Sequence, residues 1–290
     1  MNTRLVPEQQ DGPVSARLSH LRHLTQLARY KSPQGVDVIA GRHNREPIVW
    51  PGKTPSVFCI HGYCGNPQDV SVACEAARAW GLSAHAPLLS GHGGDPADLA
   101  PLRFEDWLQG ILPEFERAAA AGPVIVVGMS LGVLLATELA LRAPDRVVGL
   151  VAMANPFWVR HPLPGAVLRL VDWLRLPDFG YPTRTKLDLP AGTSAPSYHV
   201  QPVHGAISVH RAGQRLRSEL GNIRCHSLVL HGARDQVCPV SNAWKFASRL
   251  GTSERRVVVL PEARHVLSRG AERATVVSEV TEFLRPFAAG

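Results

Sequence analysis

Three residues of this chain, Ser130, Asp235 and His265, each lie just beyond a short apolar run and could together carry out nucleophilic chemistry. Ser130 is the centre of Gly128-Met129-Ser130-Leu131-Gly132, which follows the run VIVV and opens an apolar helical stretch. A glycine on each side lets a strand turn sharply into a helix, which leaves the serine hydroxyl exposed at the turn. A hydroxyl is a weak nucleophile at neutral pH, so it needs a general base and an acid to orient that base. For a serine on such a turn those partners follow along the chain, acid first and histidine second. Asp235 lies in HGARDQVCPV after the run SLVL, and His265 lies in PEARHVLS after the run VVVL. The chain has thirteen histidines, so position must select among them. His265 alone follows a late strand near the C-terminus. His226 and His231 belong to the strand region and read as core-edge residues. Asp172, Asp178 and Asp188 are rivals to Asp235, but they fall in a segment of a different character described below.

Acyl transfer also needs donors for a developing oxyanion. His61-Gly62-Tyr63 follows the first core strand, which aims the Tyr63 N–H at the site, and Leu131 supplies a second N–H at the start of the helix. His61 and His92 read as structural residues that tie loops together. The loop Ser90-Gly91-His92-Gly93-Gly94-Asp95 lacks the GxGxxG helix start of a dinucleotide site. No HExxH or paired His/Cys pattern points to a metal. Neither a cofactor nor a metal is expected.

The elements that must position these groups follow from the apolar pattern. Short apolar runs at Ser56–Ile60, Leu82–Ala86, Val124–Val127, Val147–Met153, Ser227–His231 and Val257–Leu260 read as buried strands. They alternate with helical stretches at Pro67–Trp80, Phe104–Ala121, Leu131–Arg142, Val240–Leu250 and Ala271–Phe287. Continuous apolar strands separated by helices indicate a parallel sheet covered on both faces.

The alternation breaks between Asn155 and Asn222, a stretch that holds eight prolines and one helix-like patch, Val167–Leu176. It is too long for an ordinary loop and reads as a cap over a pocket. Leu168, Leu170, Trp173 and Leu174 could line an acyl pocket or simply pack the cap to the core. Residues 1–50 read as an N-terminal extension, 51–154 with 223–290 as the core, and 155–222 as the cap. In the extension, Leu18, Leu21, Leu24 and Leu27 recur at helical spacing and suggest a short amphipathic helix on the body.

Composition excludes several classes. At 290 residues and 45% hydrophobic the chain can bury one sizeable core. The net charge of +7 is spread along the sequence, with no nucleic-acid module, so nucleic acid is not an expected partner. No apolar run approaches the ~20 residues of a membrane span, and the start lacks the apolar stretch of a signal peptide. Five cysteines, an odd number, suggest reduced thiols and a cytoplasmic protein, although Cys225 and Cys238 could pair.

Four phrases in order, IHGYCGNPQDV, HAPLLSGHGGDP with RFEDW, VVGMSLGV, and HGARDQVCPV with RHVLS, resemble the bacterial carboxylesterases and monoacylglycerol lipases of the α/β-hydrolase superfamily. The likeness runs from about Val57 to the C-terminus. It implies an α/β-hydrolase fold with a small inserted cap, a triad of Ser130, Asp235 and His265, and an oxyanion hole at Tyr63 and Leu131. It also implies an acyl-enzyme on Ser130, formed from small esters of short or medium acyl chains or from monoacylglycerols. A thioesterase, amidase or carbon–carbon hydrolase would use the same triad. A catalytically dead binding module is the remaining reading, and the complete triad speaks against it.

Overall fold

The computed structural model describes residues 46–159, 180–182 and 200–289. The leucine-patterned helix in the extension and the Val167–Leu176 patch lie outside the described residues. So do Leu168, Leu170, Trp173 and Leu174.

Seven strands form the main sheet: β1 (Ile48–Trp50), β2 (Lys53–Ile60), β3 (Leu82–Ala86), β4 (Val124–Met129), β5 (Val147–Met153), β8 (His226–Gly232) and β9 (Arg255–Leu260). Their order is β1-β3-β2-β4-β5-β8-β9. All neighbours are parallel except β1, which pairs antiparallel with β3 at one edge. The last residues read as extension are therefore the edge strand of the sheet. Two further strands, β6 (Gly180–Pro182) and β7 (Val200–Pro202), form a separate antiparallel pair within the 155–222 segment.

The apolar runs are continuous because both faces of the sheet are covered. Alternate residues of a strand point to opposite faces. Phe58, Ile60, Val124 and Val126 join one core cluster, whereas Val57, Cys59, Ile125 and Val127 join the other. The first cluster is closed by α3 (Phe104–Ala121), α4 (Leu131–Arg142), α5 (Val203–Leu216) and α6 (Ser241–Ala247). The second is closed by α1 (Ser71–Ala79) and α7 (Arg273–Ala288). A single turn, α2 (Pro96–Leu99), precedes α3.

Two departures from the sequence reading have local causes. The helix expected over Pro67–Trp80 is divided into a 3₁₀ turn at Pro67–Val70 and α1. Asn66 accepts from the Gln68 N–H at 3.0 Å, and Asp69 accepts from the Asn66 N–H at 3.2 Å, so the turn is capped on its own terms. The second departure is α5, which lies in the stretch read as irregular. Its buried Val203, Ile207, Ala212 and Leu216 follow helical spacing, but the interleaved glycines and histidines hide that period. Ala212 and Leu216 belong to the same core cluster as Leu134 and Phe58.

The chain moves from β2 to β3 on one side, then crosses back to β4 on the other. At such a reversal the loops leaving β2 and β4 diverge and leave a crevice at the carboxyl ends of the strands. Ser130, Asp235 and His265 all follow strands that end along this edge.

Candidate active site

Ser130 stands between β4 and α4 with φ 52° and ψ −119°. The left-handed region costs a serine about 1–3 kcal/mol, and it persists only where the surroundings enforce it. Here the Ser130 N–H donates to the Met153 carbonyl at 3.0 Å, and its carbonyl accepts from the Val133 N–H at 2.8 Å. The flanking glycines are required by contact. A Cβ on Gly128 would fall 2.2 Å from the Gly132 carbonyl oxygen, and one on Gly132 would fall 1.9 Å from the Ile60 carbonyl oxygen. Strand, helix and the end of β2 thus meet backbone to backbone, and the half-buried serine is left at the turn. Gly132→Ala is expected to destabilise the fold by roughly 1–3 kcal/mol through overpacking. Thermal melting should show the loss, and an unchanged melting temperature would show that the elbow can relax around a methyl group.

Asp235 and His265, the candidate acid and base, are brought together by the loops that follow β8 and β9. The Ala233 N–H donates to the Leu260 carbonyl at 2.8 Å, and the Arg234 N–H donates to the Ala263 carbonyl at 3.0 Å. A Cβ on Gly232 would lie 2.3 Å from the Ala263 carbonyl oxygen, so the two loops cross at contact distance. This crossing places Asp235 against His265, thirty residues later, with the His265 Nδ1–H donating to Asp235 Oδ2 at 2.8 Å. That bond puts the ring proton on Nδ1 and the lone pair on Nε2, the tautomer that a general base in such a pair needs. Asp235 Oδ1 accepts from the N–H groups of Val237 and Cys238, each at 2.8 Å. Arg269, four residues past the histidine, pairs with Asp69 at 2.6 Å, which ties the His265 loop to the turn after β2.

Burial alone would keep the Asp235 carboxyl neutral. His265 and His231 outweigh it and hold the group well below the usual carboxylate range. Burial likewise disfavours a charged His265, but the Asp235 carboxylate, helped by Cys238, overcomes it and raises the imidazole above its ordinary value. Asp235 is thus an ionised partner for an imidazolium.

The loop after β2 faces the elbow. A Cβ on Gly62 would sit 3.3 Å from the Ser130 Cβ, so the Gly62-Tyr63 backbone passes beside the nucleophile candidate. Two buried histidines hold this loop. His61 Nε2 accepts from the Leu89 N–H at 3.0 Å, and its Nδ1–H donates to the Gly62 carbonyl at 2.9 Å. His92 Nε2 accepts from the Cys64 N–H at 3.1 Å. Their rings meet edge to face with centroids 4.9 Å apart. Burial lowers the pKa of both, which keeps each Nε2 available as an acceptor. Leu131 opens α4, so its N–H belongs to the first turn, where backbone donors have no partner within the helix.

Three contributions escaped the sequence reading. His231, taken for a core-edge residue, lies with Nε2 3.3 Å from Asp235 Oδ2 and 3.1 Å from the Cys238 carbonyl, so it reaches the carboxylate itself. Its signal was its position four residues before Asp235. Cys238 does not pair with Cys225; all five cysteines are free, and the Cys238 thiol lies against His265 and Asp235 instead. The third is the Tyr63 side chain. Its hydroxyl donates to the Pro202 carbonyl at 2.8 Å, which joins the oxyanion-loop candidate to the point where the 155–222 segment returns. Nothing in the sequence signalled that bond. Among the described residues, no helix is long and apolar enough to cross a membrane.

Residues 53–270 match the family described as serine aminopeptidase, S33. The chain is 22% identical over 243 residues to the carboxylesterase of Bacillus subtilis (strain 168), covering 82% of this chain and 96% of that protein. It is 23% identical over 239 residues to the thermostable monoacylglycerol lipase of Bacillus sp. (strain H-257), covering 82% and 93%. Its fold is similar to the crystal structure of the monoacylglycerol lipase of Paleococcus ferrophilus, with a TM-score of 0.72, 18% identity, and coverage of 83% of this chain and 98% of that one.

Proposed function

The chain belongs to the serine aminopeptidase family of α/β-hydrolases, and from that membership we propose that it is a serine carboxylesterase working through an acyl-enzyme on Ser130. The observation that carries this reading is the buried 2.8 Å bond from His265 Nδ1 to Asp235 Oδ2, at the same sheet edge as the strained elbow of Ser130. Ester cleavage is also the activity named for the two Bacillus relatives.

In this reading the Ser130 oxygen attacks the ester carbonyl while His265 Nε2 takes the hydroxyl proton. Asp235 stabilises the imidazolium. The N–H groups of Tyr63 and Leu131 receive the oxyanion, which needs no side-chain chemistry from either residue. The tetrahedral intermediate collapses, and His265 returns the proton to the departing alcohol. Water then attacks the acyl-Ser130 ester by the same route, and the carboxylic acid leaves. The substrates proposed are esters of short or medium acyl chains, or monoacylglycerols. Residues 155–222 would form the cap that covers the acyl group, outside a core of 51–154 and 223–290. Five free thiols suit the reducing cytoplasm.

The test is a panel of p-nitrophenyl esters of increasing chain length, run beside acyl thioesters and aminoacyl amides. Esters are expected to give the highest kcat/KM. Turnover of thioesters or amides with none of any ester would overturn the proposal and leave the same triad with a different bond.

A further inference from the structure

We infer that Asp235, Cys238 and His265 form a site for one zinc-class divalent cation, whose binding holds the catalytic base in the wrong tautomer. The thiol sulfur, the imidazole nitrogen and a carboxylate oxygen all lie within 4.8 Å of one another. Thiolate, imidazole and carboxylate are the donor types of protein zinc sites. With bonds of roughly 2.0–2.3 Å, tetrahedral ligands stand about 3.3–3.8 Å apart. The His265 Nδ1 to Asp235 Oδ2 distance is 2.8 Å with a proton between them. Replacing that proton by a cation requires the two to separate by less than an ångström. The Asp235 and Cys238 side chains are fully buried and His265 nearly so, so a bound ion would be screened from water. They lie directly beneath an exposed loop, since Ala233, Arg234 and Gln236 are open to solvent.

The consequence follows from the imidazole. His265 now carries its proton on Nδ1, with the lone pair on Nε2. A cation at Nδ1 takes the place of that proton, so a neutral ring must carry its proton on Nε2. It can then no longer accept the Ser130 proton. Cys238 binds as the thiolate, so a proton held on the sulfur passes to solvent as the cation binds. No electron is transferred. The inhibition rests on the acyl-transfer role proposed for His265; the binding itself does not.

The full chain, stripped with a chelator, would be titrated with Co²⁺ and its thiolate-to-cobalt absorption recorded. Ester hydrolysis would be followed separately during titration with Zn²⁺. Wild type is expected to develop the absorption at one equivalent and to be inhibited with slow onset, reversibly by chelator. Cys238→Ser and Cys238→Val should lose the absorption, each with its zinc response measured against its own zinc-free rate. Their sensitivity to zinc should fall by at least about 10–100-fold, the loss that follows removal of a partner merely supporting a ligand. If Cys238→Val does not fold, the near-isosteric serine variant decides. No absorption in wild type would overturn the site, as would absorption and inhibition equal in wild type and both variants. Cobalt absorption lost in the variants, with no ester turned over by wild type, would support the site and overturn the acyl-transfer reading alone.

Discussion

Ser130→Ala is expected to lower kcat for p-nitrophenyl esters by about 10⁵–10⁶-fold, the scale on which loss of a triad nucleophile acts. The reason is that no other group can take its place. The elbow holds only this residue beside the Gly62-Tyr63 backbone, and the contacts of Gly128 and Gly132 prevent the turn from re-forming elsewhere. Alanine at φ 52° bears the same backbone strain as serine, so the melting temperature should stay close to that of wild type. A fluorophosphonate probe should label wild type and fail to label the variant. Residual turnover above about 1% of wild type, or labelling that persists, would show that the nucleophile is another residue.

Asp235→Asn should cost about 10⁴ in kcat, with little loss of protein. Asp235 Oδ1 accepts two backbone N–H groups, so an asparagine would place its carbonyl there. Its amide nitrogen would then face His265 Nδ1, which would have to accept rather than donate. The proton moves to Nε2, and the base is lost. The residual rate should show its acid limb at lower pH than wild type, because the carboxylate that raises the His265 pKa is gone. The stability difference has a predictable window. Asp235, depressed in the fold, contributes stability above its unfolded value of about 3.9, and that contribution is lost as pH falls. His265, raised in the fold, contributes below its unfolded value of about 6.5, and that contribution is lost as pH rises through the folded value. Thermal melts of wild type and variant should therefore differ most between roughly pH 4 and 6.5. A gap that widened above that range would contradict the assignment of Asp235 as partner of a cationic His265.

Much of the catalytic framework can be read from local pattern. The strands at Leu82–Ala86 and Val147–Met153 and the helices at Phe104–Ala121 and Leu131–Arg142 lie where the apolar periodicity places them. Burial on both faces makes the strands continuous apolar runs, and capping at Asp106, which accepts the Arg103 N–H at 2.9 Å, gives α3 a sharp start. The phrase HGYCGNPQD also has a physical meaning in the fold. His61 pins the loop, Asn66 and Asp69 cap the turn, and Asp69 reaches the loop of His265 through Arg269. Helix α5 was harder to read because its apolar face consists partly of glycine and alanine, which carry little hydrophobic signal.

The sequence by itself determined the order of Ser130, Asp235 and His265, the elbow glycines and the layered sheet, because each depends on periodicity or on a short local turn. Only the tertiary structure decided which groups meet. The crossing of the loops after β8 and β9 sets Asp235 against His265, and that same crossing draws in His231 and the thiol of Cys238. Tyr63 reaches Pro202 across 139 residues. Such contacts depend on where strands end relative to one another in the sheet, and strand order leaves no periodic trace along the chain.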